Sequence, residues 1–276
     1  MRTVRLPDGT EVPALGQGTW HMGERGSDRR AEAAALRLGL DLGMTLVDTA
    51  EMYADGGAEE VVREAIAGRR NDAFLVSKVY PHNASRARMA RSCEASLRRM
   101  GVESMDLYLL HWSGSVPIAE TVEAFERLHE AGKIRRWGVS NLDVDELEEL
   151  GAALPDCAVD QVLYNLDARG PEFDLIPFCR DRGMPVMAYS PVGQGGALLR
   201  NAALRQVAER HGATPAQVAL AFTLRGEGII AIPKAADPAH VRQNASAAEI
   251  VLTEDDMREL DATFPPPKRK RSLAML

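Results

Sequence analysis

Cysteine is scarce in this chain of 276 residues, and it has no long hydrophobic run. The three cysteines, Cys93, Cys157 and Cys179, stand far apart in apolar periodic segments, which predicts reduced, buried thiols rather than disulfides. The six histidines show neither an HExxH motif nor paired spacing with cysteine, so we expect no metal centre. Because no segment is apolar enough to span a bilayer or to act as a leader, we predict a cytoplasmic protein without a membrane partner.

The chain also lacks an excess of positive charge, since its net charge is -7 at pH 7. A general nucleic-acid surface is therefore not expected. The one basic run, at 268–271, follows three prolines, and we interpret 265–276 as a short solvated tail. Hydrophobic residues make up 45% and no low-complexity linker interrupts them, which predicts a single domain over 1–276.

Apolar strand patterns alternate with helical patterns eight times, after a short β-hairpin at 4–12 around Asp8-Gly9. The predicted strands are 14–16, 45–47, 74–76, 107–110, 134–139, 158–162, 186–188 and 229–232. The predicted helices are 29–42, 58–67, 87–100, 119–131, 145–150, 173–182, 204–211, 215–224, one from 238, and an extra C-terminal helix at 254–260. Eight such units in about 250 residues predict an α/β fold of the (β/α)8, or TIM-barrel, type.

A doubly wound open sheet is the alternative architecture. Such a sheet usually places a glycine-rich phosphate loop after its first strand. The corresponding stretch here, from Gly16 to His21, lacks the third glycine of that fingerprint. The sequence therefore favours the barrel.

Uncommon polar residues fall at or just beyond the carboxyl ends of the predicted strands. They are Asp48, Lys78, His111, Ser140, Asn141, Gln161, Ser190 and Lys234. Any one of them could simply mark the point where a strand meets solvent. In a parallel barrel, however, these ends open onto one face, where active sites are built. The pattern as a whole predicts one shared pocket.

Tyr53, in the loop after Asp48, is the candidate acid. A phenol has a pKa of about 10, and lowering it to 7 takes roughly 4 kcal/mol at 1.36 kcal/mol per unit. One ammonium at about 4 Å, in a medium of effective dielectric about 20, supplies roughly that much. We therefore expect Lys78 to lower the pKa of Tyr53, and Asp48 to keep Lys78 charged. His111 would orient the substrate oxygen or relay the proton.

Several motifs, in order along nearly the whole chain, resemble those of the aldo-keto reductase family. They are Asp48-Thr49-Ala50-x-x-Tyr53, Ser77-Lys78, Leu110-His111-Trp112, Gly138-Val139-Ser140-Asn141, Gln161, Tyr189-Ser190-Pro191 and Ile232-Pro233-Lys234. Through Ala50 to Glu59 the chain looks most similar to bacterial members that reduce methylglyoxal or a broad range of aldehydes.

The resemblance implies NADPH-dependent reduction of a small carbonyl substrate by a monomeric barrel, with Tyr53, Asp48, Lys78 and His111 as the catalytic set. It implies that Ser140, Asn141 and Gln161 hold the nicotinamide carboxamide and that Tyr189, followed by Ser190 and Pro191, stacks on the nicotinamide ring. Gly18, Thr19 and Trp20 would lie near the ribose, Lys234 at the 2'-phosphate, and Gln243 and Asn244 near the adenine. Trp20, Tyr80 and Trp112 would line the substrate pocket, although ordinary packing is an equal alternative for Tyr80.

The segment at the adenine end departs from the family pattern. Many relatives carry serine where this chain has Ala235 and arginine where it has His240. Arginine gives a permanent bidentate charge, whereas an unperturbed histidine is mostly neutral at pH 7. We expect a preference for NADPH that is smaller than in arginine-bearing relatives, so that NADH use is possible. The short loop after His111 and the brief tail predict an open mouth that suits small aldehydes.

Two other functions compete with the reductase. A nucleotide-binding regulatory module would keep the fold without the chemistry, but the intact catalytic set argues against it. An unrelated barrel lyase or isomerase would not explain the segment from Lys234 to Asn244.

Overall fold

A β-hairpin opens the fold in the computed structural model, which describes all 276 residues. Thr3–Arg5 (β1) and Glu11–Pro13 (β2) pair antiparallel, with Val4 opposite Val12. The turn between them is held by Asp8, whose carboxylate accepts from the Thr10 amide at 2.9 Å. Val4, Leu6 and Val12 are buried in the same cluster as the barrel interior. The hairpin therefore closes one end of the barrel.

Eight parallel strands follow, each hydrogen-bonded to the next in chain order. They are Gln17–Gly18 (β3), Leu46–Asp48 (β4), Phe74–Val79 (β5), Leu107–Leu110 (β6), Trp137–Ser140 (β7), Cys157–Leu163 (β8), Val186–Tyr189 (β9) and Ile229–Ala231 (β10). The predicted (β/α)8 architecture and the preceding hairpin are confirmed.

The barrel closes between its first and last strands. Leu15 forms a parallel bridge to Ala231, with Gly16 N donating to Ala231 O at 2.8 Å and Ala231 N to Ala14 O at 2.8 Å. Gly18 N continues this seam to the Pro233 carbonyl at 3.0 Å. A Cβ at Gly18 would stand 2.7 Å from Ile232 O, so glycine is required where the two backbones meet.

Ten α-helices cover the barrel. They are Arg29–Asp41 (α1), Gly57–Ile66 (α2), Met89–Met100 (α3), Ile118–Glu130 (α4), Val144–Glu148 (α5), Leu175–Arg180 (α6), Ala202–Arg210 (α7), Pro215–Leu224 (α8), Pro238–Ala247 (α9) and Glu254–Thr263 (α10). Capping boxes at Thr214 and Thr253 begin α8 and α10. None of the ten helices is both long and apolar enough to cross a membrane.

Several predicted bounds were wrong. The first barrel strand lies at Gln17–Gly18 rather than 14–16, because the ladder to β4 begins only where Gln17 meets Val47. The strand predicted at 134–139 begins at Trp137, and Ile134 contributes only an isolated bridge to Met105. Apolar residues mark where a chain is buried, whereas the bounds of a strand depend on which backbone groups find partners.

Side chains alternate between two cores. Leu46, Val76 and Leu109 point into the barrel, where they form one buried cluster with the hairpin. Val47 and Leu75, their neighbours, point outward and join the larger cluster beneath the helices. This period of two fixes the face on which every later residue of each strand emerges.

Most residues of the C-terminal tail, 265–276, are exposed, but the tail is tethered to the barrel. Lys270 Nζ lies 3.1 Å from Asp143 Oδ1, 3.0 Å from Asp174 Oδ2 and 3.8 Å from Asp145 Oδ1. Leu273 packs against the outer core. Opposite charge on the α5 and α6 side of the barrel holds a segment that composition alone marks as solvated.

Asp256, in the first turn of α10, should be a main anchor of that helix. Its buried carboxylate accepts from Thr253 N at 2.9 Å, Arg210 Nη2 at 2.9 Å and His211 Nε2 at 2.8 Å. We expect Asp256→Ala to lower the free energy of unfolding by about 2 to 4 kcal/mol, measured by urea unfolding at pH 7. Asp255→Ala, a change on the exposed face of the same turn, should cost less than about 0.5 kcal/mol and serves as the control.

The same contribution should depend on pH. Burial raises the pKa of Asp256, but the hydrogen bonds from His211, Thr253 and Arg210 outweigh burial and lower it below the usual value. Its stabilisation is therefore complete above the unfolded pKa of about 3.9 and is lost as the pH falls through the lowered folded value. An unfolding penalty for Asp256→Ala that stayed constant into strong acid would contradict this assignment.

Candidate active site

A cavity of about 1040 Å³ opens at the carboxyl ends of the strands. Of the residues predicted for the site, the following line it: Gly18, Thr19, Trp20, Asp48, Tyr53, His111, Trp112, Ser140, Asn141, Gln161, Tyr189, Ser190, Pro191, Lys234, His240, Gln243 and Asn244. The shared pocket that the strand-end pattern predicts is thus present.

Strand alternation explains why the polar residues converge. Asp48 lies two positions after Leu46, Lys78 two after Val76 and His111 two after Leu109. Each therefore points inward on the face of an inner-core residue, one layer above it. Gln161 follows the inward-facing Val159 in the same way.

Asp48 and Lys78 form a fully buried ion pair at the base of the cavity. The Lys78 side chain has 0% exposure, and its Nζ lies 2.8 Å from Asp48 Oδ1 and 2.7 Å from Oδ2. Nζ also donates to Thr49 O at 3.0 Å and to Tyr53 Oη at 3.1 Å. An ammonium has three protons, so the carboxylate, the carbonyl and the phenol together use all of them.

The loop after β4 brings Tyr53 to this ammonium. A 3-10 turn, Tyr53–Gly56, follows the strand, with Ala54 and Asp55 at φ values of 51° and 52°. Glu51 ties the loop to the end of β5, because its Oε1 accepts from Tyr80 N at 2.7 Å and from Asn83 Nδ2 at 3.2 Å. The phenol is held where Lys78 can reach it.

Burial raises the pKa of Tyr53, and the nearby Asp48 charge adds to that, so that Lys78 offsets the rise only in part. Lys78 does lower the pKa of Tyr53, but the expectation that it brings this pKa toward 7 is wrong. The ammonium alone would lower the pKa of the phenol, but desolvation of the phenolate opposes this effect. For Lys78 itself, burial lowers the pKa, but Asp48 and Tyr53 more than offset this and raise it. Lys78 is thus charged and Tyr53 protonated at neutral pH.

His111, just past β6, is neutral. Burial and the Lys78 charge lower the pKa of its imidazole to about 2. Its Nδ1 is buried without a hydrogen-bond partner, and its ring meets that of Tyr53 edge-on at 5.8 Å between centroids. A ring that stays neutral can orient an oxygen, but it cannot supply a proton as an imidazolium.

Ser140, Asn141 and Tyr189 form a hydrogen-bonded group on the neighbouring wall. Asn141 Nδ2 donates to His111 O and to Ser140 Oγ, both at 3.1 Å. Tyr189 Oη donates to Asn141 Oδ1 at 3.0 Å, and Ser140 Oγ donates to the Gln161 carbonyl at 2.8 Å. The group joins β7, β8 and β9 into one polar surface.

At the far end of the cavity Lys234 is exposed and has no carboxylate partner. His240, Gln243 and Asn244, at α9, lie on the same wall. Ala235 packs against the inner core, and Arg242 does not line the cavity. Lys234 is therefore the one permanent cation available to an anion there.

Among the predicted substrate residues, Trp20 and Trp112 line the cavity but Tyr80 does not. Tyr80 lies edge-on to Trp112 at 5.8 Å between ring centroids and stacks on His82 at 4.9 Å, so ordinary packing explains it. The sequence interpretation missed further lining residues: His21, Met52, Val192, Gln194, Gly195, Leu199, Thr214, Pro215, Ala216, Ile232, Pro233, Met275 and Leu276. The glycine-rich stretch 193–196 and the helix start at Thr214-Pro215 are signals that could have found some of them.

Met275 and Leu276 carry no such signal. They reach the cavity because the tail is anchored at Lys270. Both side chains are largely exposed, and they add an apolar rim to this side of the mouth.

All six non-glycine residues with positive φ lie at or beside this mouth. They are His21, Ala54, Asp55, Asn141, Ser190 and Gln194, with φ between 48° and 66°. Such conformations cost of order 1 kcal/mol or more each and concentrate where a site requires them. Their clustering independently marks this end of the barrel as the functional one.

The fold and the site are those of an oxidoreductase. The chain belongs to the aldo/keto reductase family, whose model matches residues 14–264. It is 52% identical to the methylglyoxal reductase YeaE of Escherichia coli, covering 100% of this chain and 99% of that protein. It is 32% identical to a glyoxal reductase of Bacillus subtilis, over 94% of this chain and 92% of that one.

A solved structure agrees closely with the fold. An aldo-keto reductase from Klebsiella pneumoniae in complex with NADPH superposes with a TM-score of 0.97 at 51% identity, covering 100% of this chain and 99% of that one.

The buried ion pair should show strong coupling in a double-mutant cycle. Asp48→Leu leaves the Lys78 ammonium buried without its carboxylate, and we expect it to cost about 3 to 5 kcal/mol of unfolding free energy. Lys78→Met should cost a similar amount, while the double variant should recover at least half of the summed loss. Additive losses in urea unfolding would show that the two charges do not depend on each other.

Proposed function

We propose that the chain reduces small aldehydes, methylglyoxal among them, with NADPH as the hydride donor and Tyr53 as the proton donor. The observation that carries this proposal is the hydrogen bond from Lys78 Nζ to Tyr53 Oη, 3.1 Å long, at the base of the cavity. The names of the Escherichia coli and Bacillus subtilis relatives support the substrate class, and the NADPH bound to the Klebsiella pneumoniae relative supports the cofactor.

The lining of the cavity fits a dinucleotide. The exposed Lys234 would meet the 2'-phosphate, while Gln243 and Asn244 would approach the adenine. At the other end, Tyr189 would stack on the nicotinamide, and Ser140, Asn141 and Gln161 would hold its carboxamide, with Gly18 to Trp20 and Ser190-Pro191 beside them. When bound, the cofactor supplies a hydride to the carbonyl carbon.

Tyr53 is arranged to give its proton to the cavity. Lys78 donates to one lone pair of Oη, so the phenol proton is not directed at the ammonium. The cation also stabilises the phenolate that forms when the proton leaves, because opposite charges attract strongly in a buried site. The raised pKa keeps Tyr53 protonated until a strong base, such as the alkoxide formed from a reduced carbonyl, accepts its proton.

His111 would orient the substrate oxygen. A proton on the buried, unpartnered Nδ1 would be an unsatisfied donor, which costs more than an unsatisfied lone pair. The proton therefore belongs on Nε2, the ring nitrogen that can serve the cavity. A neutral N–H donor beside Tyr53 holds the carbonyl oxygen without competing for its proton.

The walls suit a small substrate. Trp20, Trp112, Met52, Met275 and Leu276 give the mouth apolar faces, and the anchored tail narrows it. A regulatory module without chemistry would not need a buried ammonium hydrogen-bonded to a tyrosine in its cavity. The site therefore favours the reductase hypothesis.

Removing the Tyr53 hydroxyl tests the reaction directly. With methylglyoxal and saturating NADPH, Tyr53→Phe should lower kcat by about 10² to 10⁴, because general acid catalysis contributes that much. NADPH binding, measured by fluorescence, should change less than about threefold, since a tenfold change requires 1.4 kcal/mol.

The alternatives give different results. Wild-type protein that binds NADPH but reduces no aldehyde would indicate a regulatory module, and absence of binding would indicate another barrel chemistry. A strong preference for a bulky ketone over methylglyoxal would overturn the substrate class alone.

Cofactor choice should depend on Lys234. We expect Lys234→Ala to lower kcat/KM for NADPH by about 10- to 100-fold, with little change for NADH, because a charge-assisted bond contributes about 1.5 to 3 kcal/mol. Arg242→Ala, which removes a nearby cation outside the cavity, is the matched control and should leave the NADPH:NADH ratio within about threefold. Equal kcat/KM for the two cofactors in the wild type would contradict the proposed preference.

A further inference from the structure

The Asp48 carboxylate has a second donor besides Lys78. Gln161 Nε2 donates to Asp48 Oδ1 at 2.8 Å, the same distance as Lys78 Nζ to that oxygen. Oδ2 accepts from Lys78 alone, at 2.7 Å. Gln161 and Asp48 are both buried, with 1% and 2% of their surface exposed. Because neither can exchange this bond for water, the amide is part of the environment that fixes the carboxylate.

The orientation of the Gln161 amide follows from its neighbours. The other proton on Nε2 points to Met187 Sδ at 2.9 Å. Turning the amide over would set Oε1 against a carboxylate oxygen and a thioether sulfur, both of which are acceptors. Electrostatic repulsion therefore excludes the turned arrangement, and both N–H bonds are committed inside the protein.

Gln161 Oε1 is the atom left over. It accepts no hydrogen bond within the protein, and Gln161 lines the cavity. An N–H donor that entered from the cavity would bond to Oε1. Donation to the oxygen of an amide polarises the amide and strengthens the hydrogen bonds that its N–H groups donate, by about 10 to 30% per bond.

We propose that Gln161 is a positioning residue for the acid as well as a cofactor contact: its amide fixes Asp48, and through Asp48 it sets how Lys78 is shared between the carboxylate and Tyr53. The inference rests on the proposed function for its meaning in catalysis, since a nicotinamide carboxamide would be the donor to Oε1. A bound cofactor would then strengthen the hydrogen bond from Gln161 to Asp48 when Tyr53 donates its proton.

The consequence of losing the amide can be stated for each atom. Without Gln161, Asp48 Oδ1 has Lys78 as its only partner, and the buried carboxylate compensates by drawing the ammonium closer. Lys78 Nζ is then drawn away from Tyr53 Oη, which lies 3.1 Å away in the intact protein. The phenol should respond even when no cofactor is present.

Nuclear magnetic resonance of the cofactor-free protein tests this. The chain has only five tyrosines, so tyrosine labelled with ¹³C at Cζ gives few signals, and Tyr53→Phe assigns the one from Tyr53. The variants to compare are Gln161→Met, which keeps the size but not the amide, and Ser140→Ala. Ser140 belongs to the same predicted carboxamide site but forms no hydrogen bond with Asp48, and its hydroxyl donates to the Gln161 carbonyl.

We expect the Tyr53 signal to move in Gln161→Met and to stay in place in Ser140→Ala, while NADPH binding weakens in both. At saturating NADPH, kcat of Gln161→Met should fall at least tenfold. A Tyr53 signal that is unchanged in Gln161→Met, or moved equally in the two variants, would overturn the proposal. Because this signal is read without cofactor or turnover, it stands even if the proposed reaction fails.

A second substitution guards against a misfolded variant. If Gln161→Met does not unfold cooperatively on heating, Gln161→Glu replaces it, because it keeps the shape and places a second carboxyl group beside Asp48. That variant should displace the Tyr53 signal as well, since two carboxyl groups at this distance cannot both be ionised. An unmoved signal in Gln161→Glu would overturn the proposal in the same way.

Discussion

The pairing of Asp48 with Lys78 is the interaction on which the active end of this barrel depends. A lysine with no exposed surface loses its hydration. The free-energy cost is offset because a carboxylate, a carbonyl and a phenol accept hydrogen bonds from its three N–H groups. Adjacent strands bring the pair together, since β4 and β5 are in register with Asp48 opposite Val76. Lys78 donates to Tyr53, and Asp48 accepts from Gln161. Burial and the Lys78 charge together keep His111 neutral.

The residues of the site could be predicted from the sequence because each follows an apolar strand with a period of two. That rule needs only the strand and its direction, and it places Asp48, Lys78, His111 and Gln161 on one face. The pKa of Tyr53 could not be predicted, because it depends on how much water the folded walls exclude. The tether of the tail could not be predicted either, since the carboxylates that hold Lys270 lie just before α5 and just before α6, far away in the sequence. Tyr80 shows the limit of inference from motifs, because an aromatic residue can lie next to a pocket-lining residue without lining the pocket itself.

The two ends of the barrel differ in how much they contribute to stability. The closed end is filled by the hairpin and by interior apolar residues in ordinary conformations. The open end holds the left-handed backbone of Asn141, Ser190 and Gln194 and the buried pair of Asp48 and Lys78. Free energy gained by packing at one end thus offsets strain and desolvation at the other, which allows the site to keep a fixed geometry.

The seam between β3 and β10 has a consequence for the order of folding. Leu15 and Ala231 come from opposite ends of the chain, and loop closure over that distance makes their pairing a late, nonlocal event. The cavity spans this seam, with Gly18 to Trp20 on one side and Lys234 to Asn244 on the other. A partly folded or still growing chain therefore lacks half of the dinucleotide cleft. Because the complete cleft exists only in the closed barrel, ligand binding shifts the folding equilibrium from partly folded forms toward that barrel.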